Sequence, residues 1–177
     1  VKQLSNLSSR MITEECNIKW MAGVRFDKGL TKELLQKVRN AGCLKLVFGL
    51  ESSNKRILSL MDKGIETEIA KKAVDYCLDS GIAVHMDVIV GFPSETKEEA
   101  VETLDFVVSH ERFMKSKGAS CLVCLFELEK HAPIMRDPGR YGLSSIGHPK
   151  RDDMSLGYFY KTDRGMTPEE SSQIYEH

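Results

Sequence analysis

Arg25, Glu51 and Glu127 each stand at or near the end of an apolar run of strand length, and the turn Gly91-Phe92-Pro93-Ser94-Glu95 follows another such run. A carboxylate in such a place can accept from two neighbouring hydroxyls, and a guanidinium can hold a carboxylate in a fork. A glycine lets a flat ring approach the backbone closely. Read plainly, Glu51 is also a candidate for a simple salt bridge, and Arg25 for an ion pair with Asp27 or Glu51. His85 and Asp87 alternate along the run 83–90 and are expected beside Lys45. Such a set can move protons or satisfy itself as a buried polar network. Cys121 and Cys124 have half the spacing of a zinc site. On a strand, however, a three-residue step sends the two thiols to opposite faces, and there is no second pair. No metal site is expected. His110, His131 and His148 have no partner motif and are expected at the surface.

The elements that must position these groups alternate between helix and strand patterns, which predicts an α/β fold with a parallel sheet. Strands are expected over 18–25, 44–50, 83–90 and 120–128. Helices are expected over 2–14, 31–41 and 54–61, from Thr67 to a stop at Gly81, and from Thr96. Thr31 is a helix cap, and Gly42 supplies a left-handed stop. Thr96 with Glu99 three residues on is a capping box. The apolar face of that last helix is predicted to be Ala100, Leu104, Val107 and Val108. A Gly/Pro-rich stretch from Lys130 to about Tyr160 is expected to be irregular, and Thr167-Pro168-Glu169-Glu170 to start a short terminal helix.

Side chains alternate across a strand. The even positions of all four strands are mainly apolar: 18–24, 44–50, 84–90 and 122–128. The odd positions mix charge, glycine and medium apolar groups. They are Lys19 to Arg25, Lys45 to Glu51, His85 to Gly91 and Cys121 to Glu127. A sheet covered by helices on both faces reads as more uniformly apolar. One apolar face and one polar face predict a barrel whose odd face lines a lumen. In such a barrel the C-terminal strand ends carry the chemistry.

The 177 residues suffice for one domain with a sizeable core. Hydrophobic residues make up 41% and charged residues 29%, and the net charge of -1 gives no reason to expect nucleic acid as partner. No apolar run reaches the ~20 residues of a membrane helix, so no membrane partner is expected. The N-terminus lacks the apolar stretch of a signal peptide. Five scattered cysteines argue against a disulfide framework. A cytoplasmic protein is expected, and the absence of an initial Met is read as a fragment boundary.

Trp20-Met21-Ala22-Gly23-Val24-Arg25-Phe26-Asp27 resembles the third barrel strand of the radical S-adenosylmethionine superfamily. Phe48-Gly49-Leu50-Glu51-Ser52 resembles its fourth strand, and Ile89-Val90-Gly91-Phe92-Pro93-Ser94-Glu95-Thr96 extends the likeness. The match covers about residues 1–130 and is strongest to the subgroup that often carries an N-terminal cobalamin-binding domain. The resemblance implies strands three to six of a six-stranded partial (β/α) barrel over 1–130, followed by an irregular tail over 131–177. It implies a cofactor site for S-adenosylmethionine made by Arg25, Glu51, Ser52, Ile89, Gly91 and Glu127. Where that family's fifth-strand motif often begins with Gly, this chain has Asp87, and the motif's acid comes one position late, at Glu95.

The family's Cys-x-x-x-Cys-x-x-Cys motif is absent here. The resemblance therefore implies a radical enzyme whose [4Fe-4S] cluster, and any cobalamin, belong to the full-length protein, with this fragment inactive alone. The catalytic residues stay unassigned, and the substrate stays open as a small molecule or peptide. Two other readings stay open: a methylthiotransferase of the same superfamily, and a cluster-free barrel acting as a binding module or lyase. Truncation would bare one edge of the strand 18–25, which predicts a homodimer through that edge or a tail covering it.

Overall fold

The structure, a computed structural model, describes residues 1–147 and 157–176; His148 lies outside them. Four parallel strands form the main sheet in the order β1-β2-β3-β4. They are β1 (Trp20–Val24), β2 (Cys43–Glu51), β3 (Ala83–Val90) and β4 (Ser120–Leu125). Helix α1 (Lys2–Thr13) precedes the sheet. Helix α2 (Lys32–Asn40) joins β1 to β2, α3 (Lys55–Leu60) and α4 (Thr67–Asp79) join β2 to β3, and α5 (Lys97–Val108) and α6 (Glu111–Lys115) join β3 to β4. This β-α alternation is that of a partial parallel (β/α) barrel. Among the described residues no helix is long and apolar enough to cross a membrane.

Local signals start and stop these helices. Thr31 accepts from the Leu34 amide, Asn54 from the amides of Arg56 and Ile57, and Thr96 with Glu99 closes both halves of a capping box. Gly42 has φ +94°, and a side chain there would run into the Ile18 carbonyl, so the turn into β2 requires glycine.

The even face of the sheet is the core. Leu46, Phe48, Leu50, Val84, Val88 and Val90 are fully buried against Leu35, Val38, Ala70, Val74 and Cys77 of the helices. Each such side chain contributes roughly 1.5–3 kcal/mol by leaving water. Phe26, just past β1, stacks on Phe48 at 4.4 Å.

Four expectations about faces fail, the first at Ile18, which precedes β1 and is exposed. Leu44 is 44% exposed. The register slips between Trp20↔Cys43 and Met21↔Lys45, so a bulge turns Leu44 outward and Cys43 inward. In β4 the faces are reversed. Asp87 pairs with Leu122 and Val88 with Val123, which puts Leu122 and Cys124 on the polar face. The run Cys121–Leu125 is apolar at every position and selects neither phase. In α5 the buried face is Ala100, Thr103 and Val107. Val108 stands about 100° around the helix from Val107 and is exposed.

The region expected to be an irregular tail instead carries a three-stranded antiparallel sheet. Its strands are β5 (Leu128–Glu129), β6 (Leu143–Gly147) and β7 (Gly157–Thr162), in the order β5-β7-β6. Helix α7 (Pro168–Glu176) ends the chain close to where Thr167-Pro168 pointed. The tail shares a second core with α3 and the turn after β3, made of Ile57, Phe92, Leu128, Ile134 and Leu143. It is clamped to the turn after β3: the Met166 amide donates to the Glu95 carbonyl at 2.7 Å. Gly165, at φ +74°, lies against the Ser94-Glu95 backbone where no side chain fits.

Candidate functional site

A cleft of about 580 Å³ opens at the C-terminal ends of β1, β2 and β3, where Gly23, Arg25, Gly49, Glu51, Lys63 and Asp87 meet. Two local devices aim Glu51 into it. The β2–β3 register slips between Gly49↔Asp87 and Glu51↔Val88. Glu51 itself has φ +62°, a left-handed backbone that a non-glycine residue adopts at a cost of roughly 1–2 kcal/mol. Together they fold its carboxylate back over Gly49, and a Cβ on Gly49 would overlap that carboxylate. Lys63 Nζ donates to Glu51 Oε1 at 2.8 Å, and Arg25 Nη2 donates to the Lys63 carbonyl at 2.7 Å. Arg25 therefore pairs with neither Asp27 nor Glu51. The Glu51 salt bridge and its place in the cleft hold together.

Below this cleft the odd face of the sheet carries one polar chain. Lys45 Nζ lies 3.3 Å from Ser120 Oγ, Ser120 Oγ 2.7 Å from His85 Nδ1, and His85 Nε2 3.0 Å from Asp87 Oδ1. His85, Asp87 and Lys45 come together as expected. Ser120 was missed, because only the pairing His85↔Ser120 brings it there.

The other expected cofactor contacts lie elsewhere. Ser52 is fully buried and its hydroxyl faces Thr103 at 3.0 Å, while accepting from the Asn54 amide at 3.1 Å. Ile89 and Gly91 do not line the cleft. Gly91 has φ +81° and is covered by Ser171 of α7. Glu127 is exposed between β4 and β5.

Sequence reasoning also missed the role of Glu95. Its Oε2 accepts from the Gly91 amide at 2.6 Å, closing the turn on itself. It is fully buried, and Oε1 has no partner among the described residues. Burial lifts its carboxyl from 4.5 to about 7, against the lowering effect of the Gly91 and Phe92 amides. Arg56 braces the same turn, donating to the Ser94 carbonyl at 2.7 Å while pairing with Glu99.

Cys121 is in register with Met86 and Cys124 with Ile89, which are residues of opposite faces. Among the described residues no three metal-binding side chains gather. His110, expected at the surface, is largely covered, 3.4 Å from Asp75 and stacked near Phe113.

Three kinds of comparison place this architecture. Over 105 residues the chain is 31% identical to an uncharacterized methyltransferase of Pyrococcus horikoshii, covering 59% of this chain and 23% of that protein. Over 113 residues it is 31% identical to the tRNA-2-methylthio-N(6)-dimethylallyladenosine synthase of Aquifex aeolicus, covering 59% of this chain and 26% of that one. The chain thus spans about a quarter of the length of these curated relatives. Among solved structures it superposes on the cobalamin-dependent S-adenosylmethionine radical enzyme OxsB with a TM-score of 0.68. There the identity is 16%, over 99% of this chain and 30% of that one. On the radical S-adenosylmethionine methyltransferase TsrM from Kitasatospora setae the TM-score is 0.67 at 17% identity, over 96% of this chain and 37% of that one. The Radical SAM superfamily model matches residues 17–107, just over half of the sequence. On that match the chain belongs to the Radical SAM superfamily.

Proposed function

We propose that this chain supplies strands three to six of a radical enzyme's partial barrel, and that its cleft holds S-adenosylmethionine. The observation that carries this reading is the meeting of Arg25 and Glu51 over Gly23 and Gly49 at the strands' C-terminal ends. A carboxylate, a guanidinium and two positions free of side chains suit a ligand with ribose hydroxyls and an amino-acid end. Ser52 is then a positioning residue, tying the turn after Glu51 to Thr103 of α5. Ile89, Gly91 and Glu127 lie outside the cleft, and the proposal has a bound ligand extend beyond it, its adenine towards Ile89 and Gly91 and another part towards Glu127. Held by Arg25 and Glu51, S-adenosylmethionine would supply one-electron radical chemistry there. The residues present do not fit the iron–sulfur cluster that would give that electron: Cys43 and Cys77 are buried, and Cys121 and Cys124 face apart. Cluster ligands and any cobalamin site belong to other segments of the parent protein.

The identity with a tRNA-modifying synthase favours a second reading, a methylthiotransferase of the same superfamily. The net charge of -1 gives no reason to expect RNA as the partner of this chain, so the substrate is proposed to be a small molecule or peptide. Five free cysteines support a reducing, cytoplasmic setting. The free edge of β1 is proposed to recruit a second copy when the chain stands alone.

Anaerobic equilibrium binding of S-adenosylmethionine to the parent protein, with and without reconstituted iron, tests the reading. Binding is expected to require the cluster and to weaken at least about tenfold, roughly 1.4 kcal/mol, in Glu51→Ala. No binding with the cluster in place, or equal binding by the variant, would overturn it.

A further inference from the structure

We propose that Lys45, Ser120, His85 and Asp87 form a proton relay along the polar face of the sheet, and that Asp87 is the acid–base group of the cleft. The inference deepens the proposed site, for it takes the cleft to be where a ligand reacts. It assigns that ligand an ionisable oxygen or nitrogen able to exchange a proton with a carboxylate.

The polarity of the chain follows from its two ends. A lysine ammonium can only donate, and an ionised aspartate can only accept. Lys45 therefore donates to Ser120 Oγ over 3.3 Å. With a neutral imidazole whose one ring proton serves Asp87, the hydroxyl proton of Ser120 points at His85 Nδ1 over 2.7 Å. Nδ1 then accepts, which places the ring proton on Nε2, where it donates to Asp87 over 3.0 Å. All three bonds run the same way, from the N-terminal part of the sheet to the cleft. Chains of such bonds polarise one another.

Asp87 is also open on one side. Its partner in β2 is Gly49, which has no side chain, and its partner in β4 is Leu122. It lines the same cleft as Glu51 and Arg25. In the delivering direction one proton moves from Lys45 to Ser120, the hydroxyl proton to His85 Nδ1, and the Nε2 proton to Asp87, which passes it to the ligand. Lys45 is left neutral and is recharged from water at the far end. One proton crosses and no electron moves, so no oxidant or reductant is required.

The test reads the ligand-free chain, so its outcome is independent of cofactor binding. With 15N-labelled histidine, and His85 assigned by loss of its signals in His85→Gln, the expected state is Nε2 protonated and Nδ1 bare. The Nε2 proton's exchange with water is then compared in Lys45→Arg, Lys45→Met and Ser120→Ala. Arginine keeps the charge and the donor but does not release its proton. A structural role predicts wild-type exchange in Lys45→Arg. The relay predicts an unchanged tautomer there, with exchange slowed at least about tenfold, a modest share of the 10²–10⁴ of general acid–base catalysis. The same slowing is expected in Lys45→Met and Ser120→Ala. A proton found on Nδ1, or wild-type exchange in Lys45→Arg, would overturn the proposal.

Discussion

Glu95 shows how one buried residue sets a pH dependence. Its carboxyl sits at about 7 when folded, against 4.5 ordinarily, mainly because burial penalises the charge. The folded chain holds this proton to higher pH than the unfolded chain does. Its contribution is therefore most favourable below about pH 4.5, declines as pH rises from 4.5 to 7, and is level above. The shift corresponds to about 3 kcal/mol at 1.36 kcal/mol per unit. Glu95→Gln keeps an acceptor for the Gly91 amide and carries no charge. Its urea midpoint relative to wild type is expected to climb between pH 5 and pH 8, and a difference that stays constant over that range would refute this account. At the cleft, Gly49→Ala is expected to displace the Glu51 carboxylate, and with it the bond to Lys63. Cofactor affinity should then fall as in Glu51→Ala, while the urea midpoint drops far less than for a buried large-to-small change. Arg25, Glu51, Lys45, His85 and Asp87 were legible as chemistry-bearing residues because alternation along a strand assigns each a face. Glu95 was not, because nothing local distinguishes an acid that caps its own turn from one that faces a ligand.

At the scale of elements, caps and stops were readable one by one. Thr31, Thr96 with Glu99, Gly42 and Gly81 act as their types dictate. Thr96→Ala removes one half of the capping box, and an equilibrium unfolding curve should show a loss of about 1 kcal/mol. What stayed hidden was register. The slip at Leu44, the slip before Glu51 and the reversed phase of β4 all depend on which neighbour a strand meets. A run such as Cys121–Leu125 is apolar at every step and leaves its phase to its partner. The antiparallel strands β5, β6 and β7 were missed for a related reason. They are short, rich in glycine and polar residues, and are held by pairing and by aromatic contacts such as Phe126–Tyr160 at 5.8 Å.

For the whole molecule, the parallel sheet has two edges, and among the described residues no strand pairs with the outer edge of β1. The tail, one of the two expected covers for β1, packs at the other end, with α7 against β3 and β4. Sedimentation equilibrium of the isolated chain is expected to show a dimer, and Met21→Lys, a charge placed at the 62% exposed Met21, to return it to monomer. A wild-type monomer over the micromolar range would remove that edge as an interface. The clamp of Gly165 and Met166 on Ser94 and Glu95 also has a consequence in time. During synthesis the turn after β3 leaves the ribosome about seventy residues before its partner does, roughly 4–14 s at 5–20 residues per second. Through that interval the four strands can pair while the Glu95 carbonyl waits for Met166. The segment around Gly165 and Met166, translated about seventy residues later, therefore completes a turn laid down earlier, and a nascent chain released before that segment carries the turn unlatched.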